Sequence, residues 1–185
     1  MRWSCLALLM LFLLPGCALR PGAAARSEQA APQLALATPG VLRPYPDSGK
    51  FLQCVPFARA VSGIPLYGDA WTWWDSAALR HFSRGHVPAV GSVLVLRKSA
   101  QLPEGHVAVV AQLQDSRHLL VTHANWGYEG DTRGVIHERM PVMDVSPAND
   151  WSAIRLMNKH GIFGRVYAAY GFIYQPAGLP RVAQR

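Results

Sequence analysis

The sequence predicts an α+β fold, with N-terminal helices packed on one face of an antiparallel sheet. Two observations carry this: helical patterning is confined to residues 53–83, and strand patterning begins after Pro88 and runs to residue 174. The first helix is expected over 53–62 (QCVPFARAVS), stopped by Gly63 and Pro65. Proline is tolerated only in the first turn of a helix, so Pro56 places Cys54 at the helix N-terminus and not in its middle. Asp69 is the expected cap of a second helix over 70–83, whose Trp71, Trp74, Ala78 and Leu79 form an apolar face. Strands are expected at 92–96, at 106–113 after a loop with Pro103 and Gly105, and at 118–125. Three further segments, 135–142, 153–157 and 170–174, complete the pattern.

The chain has 185 residues, half of them apolar and 16% charged, the composition of a globular protein. Met1-Arg2-Trp3-Ser4 reads as a short basic region, and the apolar run 6–14 that follows is too brief to span a bilayer. Residues 1–25 are therefore expected to be an export signal, 26–48 an Ala/Pro/Gly-rich linker, 49–176 one domain and 177–185 a tail. Leu14-Pro15-Gly16-Cys17 is similar to a bacterial lipobox, although Pro15 departs from it; ordinary cleavage after Ala18 or at 23–25 is the alternative. The expected location is the periplasm or cell envelope, with a membrane contact only through a lipid anchor at Cys17.

The formal charge is +7, but Arg2, Arg20 and Arg26 lie in or beside the leader, and the remaining Lys and Arg exceed the 11 Asp and Glu by four. That is a mild charge, and no basic run with interleaved aromatics accompanies it, so nucleic acid is not an expected partner. HExxH, paired CxxC, an acidic Ca²⁺ loop, the P-loop and the dinucleotide glycine motif are all missing from the sequence, so neither a metal nor a cofactor is expected. The cluster at 144–150 reads as a loop held by local side-chain bonds.

Of the three cysteines, Cys5 leaves with the signal and Cys17 is removed or lipidated, which leaves Cys54 as the single thiol of the domain. A small buried apolar residue is one reading of it; a nucleophile is the other, since a helix N-terminus and a nearby imidazole both favour the thiolate. Of the seven histidines, His81, His86, His118, His137 and His160 read as surface residues. His106 opens an apolar strand directly after Glu104-Gly105, and His123 and Asn125 close the next one, two apart and so on one face. If the two strands form a hairpin, His106, His123 and Asn125 come together at its end; three polar residues at a sheet rim are the alternative. Trp71 and Trp74 are expected in the core, and Trp126 is the best candidate for a cleft wall.

Gln53-Cys54 at a helix start, Tyr67-Gly68-Asp69-Ala70 before a Trp-rich helix, the run from Val90 to Val95, and Gly105-His106-Val107-Ala108-Val109-Val110 follow the order seen in CHAP domains, the cysteine, histidine-dependent amidohydrolases/peptidases. The resemblance is tight from Gly49 to Gly127 and looser to Ile173. It implies a papain-like fold and an amidase or endopeptidase acting on the peptide part of peptidoglycan, with Cys54 as nucleophile and His106 as base. One position departs. These domains often carry Glu where this chain has His123, two before Asn125. The residue that orients His106 through its Nδ1–H is therefore His123 or Asn125, with Asn125 preferred as in papain-like proteases; a related cell-wall peptidase family uses a Cys-His-His triad. Gln53 and Trp126 are the expected substrate contacts. A small-molecule amidase of the same fold and an inactive wall-binding envelope protein are the competing expectations.

Overall fold

In the computed structural model, residues 42, 43, 45, 51–127, 130 and 132–176 are described. The chain divides into two units, Met1–Gln33 and Leu34–Arg185, and all described residues belong to the second. The expected signal, the Cys17 anchor and the tail lie outside the described residues.

Helix α1 spans Cys54–Ser62, with Gln53 at its N-cap position and Gly63 at its C-cap. Gly63 takes φ 71, a left-handed conformation that costs glycine nothing, and its N–H closes the helix on the Arg59 carbonyl at 3.0 Å. The second helical segment is a 3₁₀ turn, Ala70–Thr72, running into α2, Trp73–Leu79. Asp69 stands at the cap position, but its side chain makes no cap bond; its carbonyl accepts instead from the Thr72 N–H and hydroxyl. The 3₁₀ turn shifts the helical phase, so the buried stripe is Ala70, Trp73 and Ala77, while Leu79 is 81% exposed. The expected face of Trp71, Trp74, Ala78 and Leu79 is thus corrected by one residue.

Seven strands follow: β1 Arg84–Gly85, β2 Val93–Leu96, β3 His106–Leu113, β4 His118–Ala124, β5 Ile136–Asp144, β6 Ala153–Met157 and β7 Phe163–Ile173. All pairings are antiparallel, in the order β1-β7-β2-β3-β4-β5-β6, and β6 also pairs with β7, so six strands close into a barrel. Closure removes the sheet edges that would otherwise invite pairing with another chain. The two-residue alternation of each strand sorts its side chains into two cores. Val93, Val95, Val107, Val109 and Ala124 share one cluster with Phe57, Ala58 and Val61 of α1 and with Trp73. Leu94, Leu96, Ala108, Val110, Leu119, Val121, Val142, Ile154 and Phe172 form the other, within the barrel. The 144–150 loop is tied by its own side chains, Asp144 Oδ1 accepting from the Ser146 N–H at 2.8 Å and its hydroxyl at 2.6 Å. Among the described residues no helix is long and apolar enough to cross a membrane.

Candidate active site

Cys54 is the first residue of α1, where backbone N–H groups have no partner within the helix. It is half-buried. β3 pairs with β4 from Val109↔Thr122 onward, so toward His106 the two strands part. The thiol lies at this opening, against the Val107 N–H. Burial pushes the Cys54 thiol above its ordinary range, and hydrogen bonding from Val107, Val55 and its own N–H offsets that only in part. The expectation that the helix start would lower the thiol pKa is corrected here: desolvation outweighs the helix-end donors.

His106 and His123 come together as the hairpin requires. His106 Nε2 and His123 Nδ1 are 2.8 Å apart, and the rings meet edge to face at 5.0 Å. His106 is 2% exposed and His123 not at all. Burial, then the neighbouring His137, lowers the His106 pKa to about 3; burial, then His106 and His137, holds His123 well below the usual range. Both rings are therefore neutral at neutral pH. The contact uses His106 Nε2 and leaves Nδ1 outside it, the reverse of the expected Nδ1–H attachment. Among the described residues no hydrogen bond links Cys54 Sγ to His106.

Asn125 does not reach His106. β4 ends at Ala124, and Asn125 takes φ 59, so the alternation that would place it beside His123 stops one residue short. Its Nδ2 donates to Gln53 Oε1 at 2.8 Å, and its Oδ1 accepts from the Gly134 N–H at 3.0 Å. Of the two candidates for the orienting residue, His123 is the one in contact with His106, and Asn125 contacts the residue before Cys54. Gln53, with its oxygen committed to Asn125, keeps its Nε2 hydrogens free of that contact. Trp126 packs at a tilt against both imidazoles, 4.7 Å from His106 and 5.6 Å from His123, and is backed by Tyr167 at 5.1 Å.

His137 was expected at the surface and belongs to the site. It pairs with His123 across β4 and β5, and the rings lie 5.5 Å apart. Its Nε2 donates to the Thr132 carbonyl at 2.9 Å. The β4–β5 register could not be read through the intervening loop, so no sequence signal pointed to it. His81 and His160 are exposed, and the exposed His86 and the half-buried His118 bond to the Asp150 carbonyl and to the Asp115 carboxylate. Among the described residues no three His, Cys, Asp or Glu side chains gather in metal-binding geometry.

Fold and site together define an α+β barrel protein in which, among the described residues, one thiol stands at a helix start against the strand that carries a buried histidine. The model of the CHAP domain family matches residues 44–125, a stretch that includes Gln53, Cys54, His106 and His123 and ends on Asn125. The CHAP domain family is related to peptidoglycan and is generally of the amidase or peptidase kind. A comparison with proteins of curated function returns no match.

Proposed function

We propose that this protein is a cysteine amidase/endopeptidase that hydrolyses amide bonds in the peptide part of peptidoglycan. The observation that carries the reading is the 2.8 Å contact between His106 Nε2 and His123 Nδ1, which leaves His106 Nδ1 outside that contact, on the strand whose next residue, Val107, donates its N–H to the Cys54 thiol. The resting pair is thiol and neutral imidazole. As Sγ attacks the amide carbon, its proton passes to His106 Nδ1, and the new S–C bond leaves a negative oxygen. The Cys54 N–H and the Gln53 side-chain amide, held by Asn125, are the donors for that oxygen. The imidazolium then protonates the leaving amine as the C–N bond breaks. Water, deprotonated by the same nitrogen, releases the acid and restores the thiol. Trp126 shields the imidazoles from solvent and forms the substrate wall.

The test is digestion of purified peptidoglycan by the wild type and by Cys54→Ala, with mass analysis of the fragments. New amine and carboxyl ends from the wild type alone are expected; equal digestion by both would refute the reading. A second reading, an inactive wall-binding protein, is favoured by the raised thiol pKa and by the neutral residue at 123. It requires the wild type to co-sediment with insoluble peptidoglycan while releasing no fragments. A small-molecule amidase would instead cleave short amides and leave the polymer intact. Export and lipidation at Cys17 remain part of the proposal, checked by the mass of the mature N-terminus.

A further inference from the structure

We propose that Met140 is a positioning residue that fixes the proton arrangement of the histidine pair; the inference rests on the cysteine-hydrolase reading for its catalytic consequence, but not for its structural one. His123 Nε2 lies 3.3 Å from Met140 Sδ. A thioether sulfur carries no proton and can only accept, so the favourable tautomer of His123 has its hydrogen on Nε2. The opposite tautomer would set two lone pairs against each other. A neutral His123 protonated at Nε2 has a bare Nδ1, and that nitrogen faces His106 Nε2 at 2.8 Å. His106 must then donate from Nε2, which leaves its Nδ1 bare. The sulfur at one end of the chain thereby decides which nitrogen is the base at the other.

The backbone shows how Met140 is aimed. Val121 pairs with Met140, but His123 pairs with His137, so β5 has one more residue than β4 across this interval. Arg139 absorbs the extra residue at φ 53, a left-handed conformation that an arginine rarely adopts. It is held by its N–H on Thr122 Oγ1 at 3.3 Å and by its guanidinium on Gln112 Oε1. The bulge lets residues three apart, His137 and Met140, both flank His123. His137 meets His123 only through its ring, at 5.5 Å, and sends its Nε2 proton to the Thr132 carbonyl, so among the described residues the sulfur is the hydrogen-bond partner of His123 Nε2.

The experiment is ¹⁵N-detected tautomer assignment of His106 and His123 in the full-length protein at neutral pH, with kcat and KM measured in parallel. In the wild type both rings are expected to be protonated at Nε2. Met140→Leu, similar in volume, removes the acceptor; mixed tautomers are expected, with kcat down about tenfold and KM unchanged. Met140→Gln supplies a carbonyl acceptor and is expected to restore the Nε2–H form and most of kcat. An unprotonated His123 Nε2 in the wild type would overturn the proposal without any variant. So would wild-type tautomers and kcat in Met140→Leu. If the tautomers shift but Cys54→Ala keeps full activity, the hydrolase reading fails and the role of Met140 in the proton arrangement stands.

Discussion

A neutral imidazole at residue 123 accepts the His106 proton but brings no opposite charge, so it stabilises an imidazolium at His106 less than a carboxylate would. With both rings buried and neutral, a thiolate at Cys54 lacks a cationic partner, which fits the raised thiol pKa. Replacement of His123 by Glu should therefore change the charge state of the site. The pH midpoint for alkylation of Cys54 by iodoacetamide is expected to lie above the ordinary thiol range in the wild type. In His123→Glu it should fall by about 1–2 units, because an opposite charge at hydrogen-bonding distance favours the ion pair. An unchanged midpoint would remove charge at 123 as the cause. Kinetics separate the two candidate orienters. His123→Ala should lower kcat by about 100-fold, the lower end of a general-base contribution. Asn125→Ala, which releases Gln53 and the Gly134 N–H, should cost about tenfold, less than loss of an oxyanion donor itself. A larger loss from Asn125→Ala would return the orienting role to that residue.

At the scale of elements, the turn that delivers His106 is set by Gly105. It takes φ 65, and a Cβ there would meet the Trp71 nitrogen at 2.8 Å and the Leu96 carbonyl oxygen at 2.9 Å, both backbone atoms. Neither can yield as a flexible side chain would. Gly105→Ala should destabilise the fold by about 2 kcal/mol in urea unfolding, from backbone strain plus the clash, and should reduce activity more than the lost stability explains. Wild-type stability in that variant would mean that the turn relaxes freely. Gly105 was legible because it precedes an apolar strand, and so was the placement of Cys54, because Pro56 is tolerated only in the first turn of a helix. β3 and β6 match their expected bounds, since alternation or flanking turns marked both ends. Other features were hidden for identifiable reasons. The switch from 3₁₀ turn to helix at Thr72 exchanged Trp73 for its neighbours in the core, and no residue type announces such a switch. β7 begins at Phe163, well before the expected 170, because half-exposed residues obscure its alternation. His137 and Met140 reach the site through a bulge whose αL residue is an arginine, where a glycine would have signalled it.

For the whole molecule, two neutral histidines locked in the interior tie folding to pH. In the unfolded chain each has a pKa of about 6.5, whereas in the fold His106 is lowered to about 3 and His123 is also lowered, with burial the first cause of both. Below pH 6.5 the unfolded state thus binds protons that the native state refuses. Stability from these groups is fully present above about pH 6.5 and declines as pH falls from there through the folded pKa values. Each ring that remains neutral contributes a slope approaching 1.4 kcal/mol per pH unit, about one pKa unit's worth of free energy. Asp115 and Asp150 are also lowered, Asp150 to about 2 through bonds from Ser152 and Ser146, but both carboxyls are fully exposed and act only at still lower pH. Urea unfolding between pH 7 and 5 should therefore show falling stability, with proton uptake on unfolding that approaches two per molecule near pH 5. His123→Phe keeps an aromatic ring of similar breadth but cannot titrate, so its stability should fall less steeply over the same range, by about one proton's share of the slope. A pH-independent unfolding free energy across this interval would show that the buried pair opens to solvent or accepts a shared proton in the native state.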